Sequence, residues 1–146
     1  MSYWDTSTLV KLYVKEADSA SFETHALNDP GQAITSRIAL YEAHATFRRK
    51  EAEGAIMANT AQKLYEQLLQ DVAAGEIRLV ELGADVEREY GQVLNLCYRP
   101  TMPILLRTLD AVHLSSARVA IETELVATDK RMREAAKLLG FSLFPV

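Results

Sequence analysis

The sequence predicts one α/β domain over residues 1–146, a parallel sheet with helices on both faces, and three observations lead there. Short β-prone stretches alternate with helical patterns along the whole chain, the order that right-handed crossovers turn into a parallel sheet. The length suits a single domain that buries about two-thirds of the surface its unfolded form exposes. Hydrophobic residues at 49% and charged residues at 25% are ordinary globular usage, which excludes a disordered chain.

Tyr3-Trp4 is a β-prone start that runs into Asp5 and the hydroxyl cluster Thr6-Ser7-Thr8. Leu9, Val10, Leu12, Tyr13 and Val14 then recur at helical spacing and predict a short helix. A second helix is expected over Ser19–Leu27, ended by the turn signal Asn28-Asp29-Pro30-Gly31. Gln32–Thr35 reads as a buried strand, and Ser36 is placed to cap a long helix from Arg37 to about Glu53, stopped by Gly54. Ala61, Leu64, Tyr65, Leu68 and Val72 define a helix from Asn59 to Ala74, with Gly75 as its stop.

Ile77–Val80 alternates with period two and suits an edge strand, where Arg78 can face water. A helix from Asp85 to Cys97 follows; Pro100 and Pro103 make Tyr98–Arg107 a loop. Thr108 is expected to cap a helix over Leu109–Ile121. Leu125–Ala127 is a fourth strand, Asp129 opens the last helix, Gly140 closes it, and Phe141–Phe144 is a final strand.

A single cysteine, Cys97, excludes an internal disulfide, and its place in an apolar pattern makes it a core residue. The N-terminal stretch has no signal-peptide run and no segment is long enough to span a bilayer, so a cytoplasmic protein with no membrane contact is expected. The net charge of −4 gives no global attraction for nucleic acid, so any such contact must be local. P-loop, nucleophile-elbow and dinucleotide signatures are absent.

Four acids recur at comparable places. Asp5 and Asp129 each follow a strand, Asp110 opens a helix, and Glu42 lies among apolar and small residues within one. Three of them have an ordinary reading as helix caps or as first-turn acids favoured by the macrodipole. Glu42 has none, and in a doubly wound sheet all four can point at the rim formed by the carboxyl ends of the strands. Carboxylates gathered there repel one another unless a cation sits among them, and Mg²⁺ or Mn²⁺ takes oxygen ligands. Such an assembly suits phosphodiester hydrolysis, with Thr6, Ser7 and Thr128 available to orient water or phosphate. His113 lies one turn beyond Asp110 on the same face, where a structural role is the plainer reading.

The stretches Tyr3–Tyr13, Arg107-Thr108-Leu109-Asp110-Ala111-Val112-His113-Leu114 and Ala127-Thr128-Asp129 together resemble PIN-domain ribonucleases of the VapC toxin type. The resemblance implies a three-layer α/β/α fold with four or five parallel strands, and Mg²⁺- or Mn²⁺-dependent endoribonuclease activity. Asp5, Glu42, Asp110 and Asp129 match that family's acidic quartet as catalytic and metal-binding residues. It also implies an RNA substrate, a small antitoxin that occupies the groove, and a homodimer. Tyr98–Arg107 has no counterpart in the family pattern.

Basic residues available to hold RNA are Lys11, Arg37, Arg107 and Lys130, with Arg131 and the run Arg48-Arg49-Lys50, although such a run is more often a solvated helix face. Two other functions fit the same residues: a non-catalytic interaction module that keeps the fold, and a related metal nuclease acting on DNA.

Overall fold

The computed structural model describes residues 1–146. In chain order its elements are β1 (Tyr3–Trp4), α1 (Thr6–Val10), α2 (Ser19–Asn28), β2 (Ala33–Ser36), α3 (Ile38–Ala52), α4 (Ala61–Ala73), β3 (Ile77–Val80), α5 (Ala84–Tyr98), α6 (Thr108–Val119), β4 (Glu124–Val126), α7 (Lys130–Leu138) and β5 (Ser142–Phe144). All strand pairings are parallel, in the order β3-β2-β1-β4-β5. Every strand expected from the sequence is present, and β3 lies at an edge with Arg78 exposed. No helix is long and apolar enough to cross a membrane.

The shortest strand lies at the centre. Because successive side chains of a strand point to opposite faces, Tyr3 and Trp4 enter different cores. Tyr3 packs with Val86, Val93, Cys97, Leu114 and Met132 under α5, α6 and α7, whereas Trp4 packs with Leu9, Phe22, Leu40, Phe47 and Leu68 under α1 to α4. The result is three layers, with Cys97 buried in one core as its pattern implied. His44 of α3 stacks on Tyr65 of α4, ring centres 3.9 Å apart, which ties those two helices together.

Chain order fixes which rim of the sheet carries a crevice. The connection from β1 leads to β2 on one side, while β4 lies against β1 on the other, so the direction of winding reverses between β1 and β4. In open α/β sheets that reversal leaves a crevice at the carboxyl ends of the strands. Asp5 follows β1 and Asp129 follows β4, on the two lips of that crevice.

Local differences from the sequence reading have local causes. The fourth helix begins at Ala61 rather than Asn59 because Asn59 takes a left-handed φ of 66°, which asparagine tolerates. Gly75 and Gly140, at φ 83° and 89°, terminate α4 and α7 as expected of residues without a Cβ. Thr108 is not a cap: Arg107 holds the extended cap position of α6 and Thr108 is its first helical residue. Ser36 ends β2, and its Oγ accepts from the Ile38 N–H at 3.3 Å while Arg37 stands at the cap position. At the end of α6 the chain turns through Ile121 at φ 59°, a conformation that crowds a β-branched residue.

Candidate active site

A cleft of about 330 Å³ opens at the reversal point, lined by Asp5, Thr6, Ser7, Glu42, Arg107, Asp110, His113, Thr128, Asp129 and Met132. All four acids are there, with the three hydroxyl residues expected beside them. They come from four parts of the chain, the β1–α1 junction, α3, the start of α6 and the β4–α7 junction, brought together by the strand order.

Asp5 is buried, and its carboxylate turns back over the start of α1. Its Oδ1 accepts from the Thr8 N–H at 2.9 Å and from Thr8 Oγ1 at 2.7 Å, and Ser7 Oγ stands 3.0 Å away. Thr8 Oγ1 also lies 2.8 Å from the Val126 carbonyl, which locks this cap to β4. Burial pushes the Asp5 carboxyl above its usual range, against the hydrogen bonds from Thr8 and Ser7. A buried acid in that condition gains from a nearby cation.

Glu42 is half-buried and is held from two sides. Thr6 Oγ1 donates to its Oε1 at 2.7 Å, and His113 Nε2 donates to the same oxygen at 2.7 Å. On the far side of the imidazole, Nδ1 accepts from the Tyr3 hydroxyl at 2.7 Å, and burial raises the Tyr3 pKa, keeping that O–H protonated. A relay of fixed dipoles thus runs from the centre of β1 through His113 to Glu42. Burial is the largest single influence on the Glu42 carboxyl and pushes it up. The bonds from His113 and Thr6, with the Arg107 charge, outweigh it and leave the group below the usual carboxylate range.

Asp110 sits in the first turn of α6 and Asp129 caps α7, its Oδ1 accepting from the Met132 N–H at 2.9 Å. Between them lies Arg107. Its Nε donates to Asp110 Oδ2 at 2.9 Å, and one terminal nitrogen stands 3.6 Å from Asp129 Oδ2.

Residues 2–138 match the PIN domain family. The chain belongs to that family. Over 143 residues this PIN domain is 32% identical to Ribonuclease VapC46 of Mycobacterium tuberculosis, covering 97% of its own length and 94% of that protein. Its fold is shared with VapBC2 from Rickettsia felis, solved bound to a DNA fragment from their promoter, at a TM-score of 0.65 and 16% identity over 98% of this chain and 97% of that one. It is also shared with Mycobacterium tuberculosis VapC20, a toxin that cleaves the sarcin–ricin loop, at a TM-score of 0.67 and 16% identity over 92% and 95% of the two chains.

VapC nucleases built on a PIN domain generally depend on a divalent metal. Here the donor set suits a hard cation, since four carboxylates share one cleft. As they stand, no three Asp, Glu, His or Cys side chains are arranged to hold a metal ion together. Arg107 holds the space between two of the acids, and Asp5 faces its own helix.

The basic residues separate into two groups. Lys11 is drawn into ion pairs with Glu16 at 2.7 Å and Asp18 at 2.9 Å, and Arg37 pairs with Glu81, so neither lines the cleft. Lys130 is exposed at the start of α7, outside the lining. Arg107 lines both the acidic cleft and an adjoining groove of about 520 Å³ that also takes in Glu16, Thr46, Arg49 and Lys50. Arg48, by contrast, turns toward Gln62 of α4. His113 is the residue that sequence reasoning undervalued; its spacing from Asp110 placed it on the right face, but only the sheet order brings it to Glu42.

Proposed function

We propose that this PIN domain is a metal-dependent endoribonuclease and the toxin of a toxin–antitoxin pair, working in the cytoplasm. The observation that carries the reading is the convergence of Asp5, Glu42, Asp110 and Asp129 on one cleft, in a chain similar over nearly its whole length to a VapC ribonuclease. Bound Mg²⁺ or Mn²⁺ supplies Lewis acidity and activates water for attack on a phosphodiester. Asp110 and Asp129, with Asp5, are the oxygen donors that would hold it.

The chain's own groups do the rest. Glu42 stays ionised and cannot swing, because Thr6 and His113 grip the same oxygen. Ser7 and Thr128 are exposed hydroxyls on opposite lips of the cleft and can orient a phosphate oxygen or a water. Arg49 gives the adjoining groove a positive edge along which an RNA backbone can lie, a local attraction that an overall negative chain requires, while Lys50 beside it is paired with Glu16 at 2.9 Å. A small antitoxin would inhibit by covering the cleft. Pairing of two copies is supported by an apolar groove of about 340 Å³ between α3, α5 and α6, lined by Ile38, Leu82, Val86, Tyr90 and Val112.

The test is cleavage of a mixed RNA pool by antitoxin-free protein with Mg²⁺, with Mn²⁺ and with chelator, beside Asp5→Asn prepared identically. Metal-dependent cutting by the parent alone is the expected result, and a parallel DNA pool should remain intact. Equal cutting by both proteins would sink the assignment. A non-catalytic binding module would keep this cleft without loading a cation into it. Calorimetry that finds no Mg²⁺ or Mn²⁺ binding by folded protein would install that reading.

A further inference from the structure

The guanidinium of Arg107 bridges two acids of the cleft, Asp110 and Asp129, and it does so from the cap position of a helix. Arg107 is the cap residue of α6, with extended backbone (φ −74°, ψ 154°), so its side chain leaves the helix start and folds back over the first turn. There it takes Asp110 Oδ2 at 2.9 Å and comes within 3.6 Å of Asp129 Oδ2, while its charge also acts on Glu42. One side chain therefore answers three of the four acids. Yet 67% of that side chain is exposed, against 12% for Asp110, so the acid is fixed and its partner is free to leave. Exposed pairs of this kind are weak, because water solvates the departing guanidinium nearly as well.

Resting on the nuclease reading above, we propose that Arg107 is the resident counter-ion of the acidic cleft, bridging Asp110 and Asp129 while no divalent cation is bound and giving up both when one enters. The two occupants want the same oxygens. A hard cation needs its carboxylates drawn in to about 2.0–2.6 Å, whereas a planar guanidinium fork holds them further out and on one side. Released, Arg107 still borders the groove shared with Arg49 and Lys50, so loading of the cleft adds a free positive charge on the side from which RNA phosphates approach. Metal entry and substrate capture are thereby coupled through one side chain.

The experiment is calorimetric titration of Mn²⁺ into the full chain without RNA, for the parent, Arg107→Gln and Arg107→Lys. Thermal melts of all three follow, in chelator and in saturating Mn²⁺. Arg107→Gln should bind Mn²⁺ on the order of fivefold more tightly, the factor that matches release from a well-placed exposed ion pair. Arg107→Lys, which keeps charge without the fork, should fall between. In chelator the Gln variant should melt below the parent, and saturating Mn²⁺ should close that gap. In the parent, the Arg107 Nε–H resonance should shift as Mg²⁺ is added. Equal or weaker Mn²⁺ binding by folded Arg107→Gln, with a melting gap that ignores the metal, would reduce Arg107 to a structural cap and overturn the inference while leaving the nuclease reading intact. Failure of the folded parent to bind Mn²⁺ at all would overturn both.

Discussion

Each rim of the sheet carries a histidine bonded to a glutamate, with further acids nearby. At the amino-terminal rim, His25 Nε2 lies 2.7 Å from Glu124 Oε1, and the Ser2 hydroxyl stands 2.5 Å from the same carboxylate and 2.8 Å from Asp29. The chain's first amino group completes the cluster at 3.1 Å from Asp29, and His25 stacks flat on Phe144 with ring centres 3.8 Å apart. At the carboxyl-terminal rim, His113 and Glu42 repeat the pair, but two other acids, Asp110 and Asp129, share one exposed arginine. The first cluster is satisfied by partners packed into the fold. The second is held by a removable partner beside an open cleft. Acid density alone therefore does not mark a site; an unfilled demand for positive charge, next to space, does.

The largest effect that can break this comparison is at Asp110. Asp110→Asn should lower metal-dependent RNA cleavage on the order of a thousandfold while the protein stays folded by circular dichroism. Parental activity would mean that the open rim is no more functional than the closed one. Next comes the histidine pair itself. Replacing His113 by leucine frees Glu42 from one of its two grips and should cost about 10- to 100-fold in cleavage, the usual loss when a residue orienting a ligand is removed. Leucine at His25 should leave cleavage at the parental level.

Stability should divide the rims in the other direction. Glu124→Gln removes the charge from a packed cluster and should cost about 1–2 kcal/mol by denaturant titration, with cleavage unchanged. Asp5→Asn should do the reverse, abolishing cleavage while raising the melting temperature in chelator at pH 7. Burial lifts the Asp5 pKa in the folded state, so the parent loses stability as pH rises through the interval from its ordinary value of 3.8 to the raised one. The advantage of asparagine, itself a good helix cap, should shrink to nothing when melts are repeated below about pH 4. The smallest effect is at Ile121, on the loop entering β4. Ile121→Gly should gain about 0.5–1 kcal/mol by relieving a left-handed φ of 59°, with no change in cleavage.

The elements were legible because each carries its own punctuation. Glycines at 54, 75 and 140 end helices, Pro100 and Pro103 open a loop, and period-two runs mark strands. The four acids were legible because each follows a strand, opens a helix or breaks an apolar face. Partnerships were not legible, since they depend on sheet order. Arg37 meets Glu81 because β2 pairs with β3, and His113 meets Tyr3 and Glu42 because α6 packs beneath β1 and β2. Lys11 and Arg37 looked available for RNA for the same reason: the acids that claim them lie across a turn or on a neighbouring strand.

The central strand has only two residues, and its register depends on a neighbour supplied near the end of the chain: the Asp5 amide donates to the Val126 carbonyl, and Asp129 follows three residues later. While translation is under way, Tyr3 and Trp4 have no β4 to pair with, and Asp5 has no Asp129 across the crevice. For a chain with the proposed activity, the acidic cleft cannot form on the nascent polypeptide until β4 and Asp129 have been made. Its edge is assembled only once synthesis has passed the last of the four acids.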